Sequence, residues 1–125
     1  MPVRSLNSPV LKWPDAQLVD RTVRDWANQV IEMRPDVVRL GYFGSYAKGD
    51  WGVGSDLDLI VVLEDSVVPF ERRGLEWDVT NLPVPAEILV YTEEEWRALG
   101  AESRFRRTIE REGVWLFQRE PGTGS

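Results

Sequence analysis

Apolar residues at Leu18, Val19, Val23, Trp26, Val30 and Met33 recur at helical spacing and predict one amphipathic helix over residues 14–34. Its opposite face carries Asp20, Arg21, Arg24, Asp25 and Gln29. Pro14 suits the first turn, Asp15 complements the helix dipole, and Pro35 ends the helix. The pattern then changes period. Val37–Phe43 reads as a strand and Ser45–Lys48 as a short helix. Residues 56–63 open with acids and are then nearly all apolar, which suits a central strand covered on both faces. A loop over 65–74 runs into a short helix through Glu71-Arg72-Arg73, and 75–80 is ambiguous. Residues 86–91 read as a third strand, apolar except for Glu87. Thr92 starts a helix as a cap, with Glu95 at the capping-box position. A further helix spans 103–111, with Phe105 and Ile109 inward. Gly113 ends it, and 114–117 form a closing strand. The expected fold is α/β, a small mixed β-sheet flanked by helices. It is expected to be a single domain over 1–125, with a poorly ordered lead-in at 1–12 and tail at 119–125.

Within this pattern the stretch from Gly44 to Leu63 carries the chemistry. A strand that ends in Gly44-Ser45 and turns into a helix offers backbone N–H groups and a hydroxyl to a phosphate. Gly49, Gly52 and Gly54 let the chain turn back sharply. Asp56 and Asp58 then share one face of a strand, because strand side chains alternate. Two neighbouring carboxylates repel, and a cation between them relieves the cost. Oxygen ligands with room for phosphate favour Mg²⁺. A phosphate cradle beside a Mg²⁺ site is what transfer of a phosphate-linked group needs.

Composition narrows the alternatives. The chain has 125 residues, with no cysteine and no histidine. That removes disulfides, Cys nucleophiles, His general bases and His-ligated zinc, and leaves carboxylates as the candidate bases. A net charge of −6 makes a nucleic-acid backbone an unlikely partner. No apolar run reaches membrane-spanning length, residues 1–10 lack a signal-peptide core, and a cytoplasmic location is the expectation. No Gly-Lys-Ser/Thr follows the glycines, so this is not a P-loop.

Gly44-Ser45, ten intervening residues, then Asp56-Leu57-Asp58 in a strand resembles the signature of the nucleotidyltransferase superfamily. The longer form, Gly-Ser-Tyr-Ala-Lys-Gly followed by Gly-Ser-Asp-Leu-Asp-Leu, is similar to the small prokaryotic branch called minimal nucleotidyltransferases. The resemblance spans roughly residues 37–117 and implies the nucleotidyltransferase catalytic-domain fold. It implies that Asp56 and Asp58 are catalytic metal ligands. It also implies a third carboxylate on a neighbouring strand, here Glu87, binding a second Mg²⁺ and helping to deprotonate the acceptor hydroxyl. Asp is usual at that place, and Asp78 is the fallback. Gly44 and Ser45 would bind the nucleotide. Lys48 stands where small members carry Arg or Lys, and Ser55 would touch nucleotide or cap its turn. Trp51 would stack on the base or shield the site. Arg97, Arg104, Arg106, Arg107 and Arg111 form a basic region that reads either as a solvated face or as a triphosphate or acidic-partner contact.

The resemblance implies transfer of AMP from ATP to a hydroxyl on a partner protein. Its minimal members pair with a small helical HEPN protein as antitoxin to toxin, so a hetero-oligomer or homo-oligomer is expected. The alternative is a weak or inactive antitoxin that works by association alone, with Glu87 in place of Asp as its support. Modification of a small molecule is disfavoured by the lack of an acceptor domain.

Overall fold

A computed structural model describes residues 14–119. The expected lead-in at 1–12, and the tail beyond residue 119, lie outside them. Asp15 sets the first boundary. Its carboxylate accepts the Leu18 N–H at 2.9 Å, so it caps the helix from outside. Helix α1 is therefore Ala16–Met33, shorter at both ends than the apolar pattern suggests. It buries Val19, Val23, Trp26 and Ala27. Leu18 and Met33, expected inward, are 38% and 79% exposed: Leu18 lies on the helix side turned away from the stripe of Ala16, Val19, Val23 and Ala27, and Met33 is the last residue of the helix. Asp20, on the expected polar face, is half-buried. It accepts the Tyr42 hydroxyl at 2.6 Å and pairs with Arg24 at 2.7 Å.

The remaining elements follow the pattern closely. They are β1 (Val37–Phe43), α2 (Ser45–Lys48), β2 (Leu57–Leu63) and α3 (Phe70–Arg73), the last continuing into a 3₁₀ turn at Gly74–Glu76. Then come β3 (Ala86–Thr92), α4 (Glu93–Ala98), α5 (Arg104–Glu112) and β4 (Val114–Gln118). The ambiguous segment after Gly74 forms no strand. Trp77 is buried there, and the Trp26 indole donates to the Asp78 carbonyl at 2.9 Å. Arg119, counted in the expected tail, is held: its N–H donates to Val38 O and its guanidinium to Pro35 O, both at 2.8 Å.

Among the described residues four strands lie in the order β3-β2-β1-β4. β1 is antiparallel to β2 and β4, and β2 is parallel to β3, so the sheet is mixed. Alternation divides β2 between two cores. Leu57, Leu59, Val61 and Leu63 meet α1 on one face. Ile60 and Val62 meet Trp96 of α4 and Ile109 of α5 on the other. Each such side chain stabilises the fold by about 1.5–3 kcal/mol relative to exposure. The face of Ile60 and Val62 also bears Asp58, two residues earlier on the same strand. Among the described residues no helix is long and apolar enough to cross a membrane.

One buried charge joins α3 to the β3–α4 junction. The Arg73 guanidinium is 5% exposed and contacts both Glu95 carboxylate oxygens, at 2.6 and 3.0 Å. It also donates to Val68 O at 2.7 Å and Val90 O at 3.0 Å. Glu95 meanwhile completes the capping box with Thr92. The hydrogen bond from Arg73 holds the Glu95 carboxyl below its ordinary value. Its contribution to stability is thus complete above the ordinary 4.5 and is lost as pH falls through the lower folded value. Glu95→Gln keeps the cap's shape and removes the charge. It should cost about 2 kcal/mol at neutral pH, less than for a wholly buried pair because Glu95 is partly exposed. Urea denaturation across the pH range checks this, and the deficit should shrink in acid. An unchanged midpoint at neutral pH would show the pair to be dispensable.

Candidate active site

β1 pairs with β2 so that Phe43, its last residue, stands opposite Asp58. β2 pairs with β3 so that Asp58 stands opposite Glu87. Gly44-Ser45 therefore leaves the sheet at the same end at which both acids enter it. Asp58 and Glu87 occupy equivalent positions on neighbouring strands, so their side chains share a face, that of Ile60, Leu89 and Tyr91. Phe43 lies on this face too, with the Phe105 ring edge-on to it at 5.9 Å. The helices α4 and α5 cover the middle of the face, and the acids sit at its end.

The electrostatics follow from this placement. Asp58 is half-buried, while Asp56 and Glu87 are exposed. Burial, then the Glu87 and Asp56 carboxylates, push the Asp58 carboxyl above its ordinary value. Asp56 lies just before β2 and contributes its charge from the loop. Among the described residues no three acids are gathered closely enough to form a cation cage by themselves. Mg²⁺ does not require one, because it is commonly held by one or two carboxylates with substrate phosphates and water completing the shell. The all-oxygen donor set and the repulsion felt at Asp58 fit such an ion.

The other sequence candidates separate. Gly44 is the N-cap of α2, and Ser45 opens that helix without a side-chain cap bond. With one turn, α2 can offer individual amides and a hydroxyl but little dipole. Ser55 accepts the Gly52 N–H at 2.8 Å, so its oxygen already serves the turn. Lys48 is exposed, 3.6 Å from the Asp50 carboxylate. Trp51 stacks on Tyr46 at 5.6 Å with the rings 10° apart, and packs on the α1 side of the sheet. It closes the loop rather than facing the acids. Asp78 accepts Thr80 N–H and Oγ1 at 3.0 and 2.6 Å, in a turn packed on α1. It is not brought to Asp58.

The basic region also divides. Arg106 donates to Trp96 O at 3.4 Å and lies 3.7 Å from Glu110, which also binds Arg39 at 3.3 Å. Arg111 pairs with Glu112 at 3.2 Å, and Arg97, Arg104 and Arg107 are exposed. Sequence reasoning passed over Arg39, which lies 4.0 Å over the Trp115 ring and ties β1 to α5. Its charge inside an apolar strand was the available signal.

Because the folded state raises the Asp58 carboxyl, the ionised group opposes folding. That penalty is complete above the raised value and disappears as pH falls towards 3.8. In buffer without divalent cations at neutral pH, Asp58→Asn should raise the melting temperature by a few degrees. Scanning calorimetry at neutral pH and near pH 4 checks both the sign and its loss. A lower melting temperature at neutral pH would make Asp58 a structural acid.

The fold has counterparts among solved structures. A candidate nucleotidyltransferase from Sulfolobus solfataricus superposes with TM-score 0.60 at 20% identity, covering 86% of each chain. A toxin–antitoxin structure with AMP-PNP gives TM-score 0.56 at 15% identity, covering 78% of this chain and 74% of that one. A mutant of the toxin–antitoxin pair MntA–HpeT gives 0.54 at 12%, with the same coverage. At these identities the likeness is one of fold. No curated protein matches the chain. The family model of the nucleotidyltransferase domain matches residues 23–116, which include β1 to β4 up to Leu116 with all the acids above. The chain belongs to the nucleotidyltransferase domain family.

Proposed function

We propose that this nucleotidyltransferase moves AMP from ATP to a hydroxyl on a partner protein, in a Mg²⁺-dependent reaction. The observation that carries the reading is the pairing of Asp58 with Glu87 on one face, beside the Gly44-Ser45 turn. Asp56 and Asp58 would hold the cation that meets the nucleotide phosphates, and Glu87 would share a second. Divalent cations so held neutralise charge on the leaving pyrophosphate and lower the pKa of the acceptor hydroxyl. Ser45 offers its N–H and hydroxyl to the phosphates. Glu87, exposed on an edge strand, is open to an incoming acceptor and can take its proton. Its extra methylene relative to Asp gives it reach in the same role.

The partner we infer is a small helical HEPN-type protein, with this chain as the antitoxin of the pair in the cytoplasm. The toxin–antitoxin structures of the same fold support the pairing, and the AMP-PNP in one of them supports ATP. A second reading is an antitoxin that works by association alone. Glu87 in place of the family's usual Asp favours it.

Calorimetry should show ATP binding that needs Mg²⁺, and equal affinity with and without the cation would remove the metal bridge. In labelled AMP transfer to a HEPN-type partner, Glu87→Gln should lose about 10²–10⁴-fold in rate, the usual range for a positioned base. Its ATP affinity should stay within a few-fold, as expected for an interaction made mainly in the transition state. Glu87→Asp should remain active and Asp78→Asn should match the unmodified protein. Binding of the partner without any transfer would favour the association-only reading.

A further inference from the structure

Gly44 adopts φ 84° and ψ −153°, a region that is essentially glycine-only. A second constraint acts at the same place. A Cβ on Gly44 would lie 2.3 Å from Oδ2 of Asp58 and 3.3 Å from its Cγ. Other glycines in this part of the chain separate the two effects. Gly49 and Gly54 also have positive φ, both 88°, yet a Cβ at either would meet nothing within 4 Å. At those positions the demand is a matter of backbone conformation. At Gly44 the space is occupied by a carboxylate.

The register explains why. Phe43 stands opposite Asp58, so Gly44 is the first residue beyond the β1–β2 ladder. The Asp58 side chain leans across it. On the other side of Asp58 stands Glu87, a like charge. A methyl group at position 44 would displace the carboxylate from the only neighbouring strand that does not repel it.

We propose that Gly44 is a positioning residue whose missing side chain forms the slot that holds the Asp58 carboxylate in its cation-binding orientation. Its conformation and its emptiness serve the acid on β2, and the approach of phosphate to the Gly-Ser backbone is secondary. This rests on the reading of Asp58 as a metal ligand.

The test pairs a stability cycle with binding of Mn²⁺ alone, followed by its electron paramagnetic resonance. Gly44→Ala should weaken Mn²⁺ binding by about 10–100-fold, the usual effect of disturbing a group that orients a ligand. Gly49→Ala, with matching φ and free space, should stay within about twofold. Melting temperatures of Gly44→Ala, Asp58→Ala and the double variant complete the cycle. The drop caused by Gly44→Ala should be at least halved when Asp58 is already Ala, because the backbone strain remains and the clash is gone. If Gly44→Ala alone does not fold, recovery of a folded double variant supports the slot, and failure to recover overturns it. Equal drops in both backgrounds overturn the proposal, as does Mn²⁺ binding unchanged by Gly44→Ala. If the unmodified protein takes up Mn²⁺ only with ATP, the same comparison is made with ATP present; if it takes up none in either condition, the metal reading fails, and the stability cycle still decides whether Asp58 owns the space at Gly44.

Discussion

The antiparallel pairing of β1 with β2 is the constraint on which the rest depends. It buries β2 between α1 on one side and α4 with α5 on the other. It also fixes which residue of β1 stands beside Asp58. A slip of one residue would send Asp58 to the α1 face and Leu57 and Leu59 to the opposite one. The apolar demand of both cores therefore holds the acid at the end of its face. Burial of Leu57, Leu59, Val61 and Leu63 sets the position of a charge that burial itself disfavours.

The elements were legible because their signals are local. Val37–Phe43 and Ser45–Lys48 match the sequence reading residue for residue, and the Thr92–Glu95 capping box forms as its spacing implies. Asp15 was misplaced by two positions, because a carboxylate in the first turn and one at the cap look alike until the Leu18 N–H has a direction. Leu18 is apolar but stands off the stripe that Ala16, Val19, Val23 and Ala27 bury, and Met33 follows the period to the last residue of the helix, where it stays exposed. The segment after Gly74 stayed ambiguous because its structure depends on Trp77 docking in the α1 core and on Trp26 reaching the Asp78 carbonyl, 52 residues away in sequence.

At the candidate site, alternation would set Asp56 and Asp58 on one face of a strand, but β2 begins at Leu57 and Asp56 stands in the loop before it. Glu87 entered by family resemblance, and the parallel register sets it opposite Asp58. That pairing was not readable from spacing, because the crossover between β2 and β3 has no fixed length. Trp51 and Ser55 were ambiguous for a different reason. A stacking ring and a hydroxyl in a loop serve a ligand or the loop equally well, and here Tyr46 and Gly52 take them. The role of Gly44 was half visible. A glycine after a strand signals a turn, but the carboxylate crowding it lies on another strand.

The Arg73 latch has a consequence for the sheet as a surface. β3 is an edge strand, and its Ile88 and Val90 carbonyls, two residues apart, point the same way. Gly74 packs against the first and the Arg73 guanidinium takes the second. One acceptor that an incoming strand from another molecule would need, the Val90 carbonyl, is thus already taken by the chain's own crossover, and Gly74 crowds the next. At that point of the edge, strand addition, and the aggregation that follows from it, is opposed by a side chain that is itself only 5% exposed.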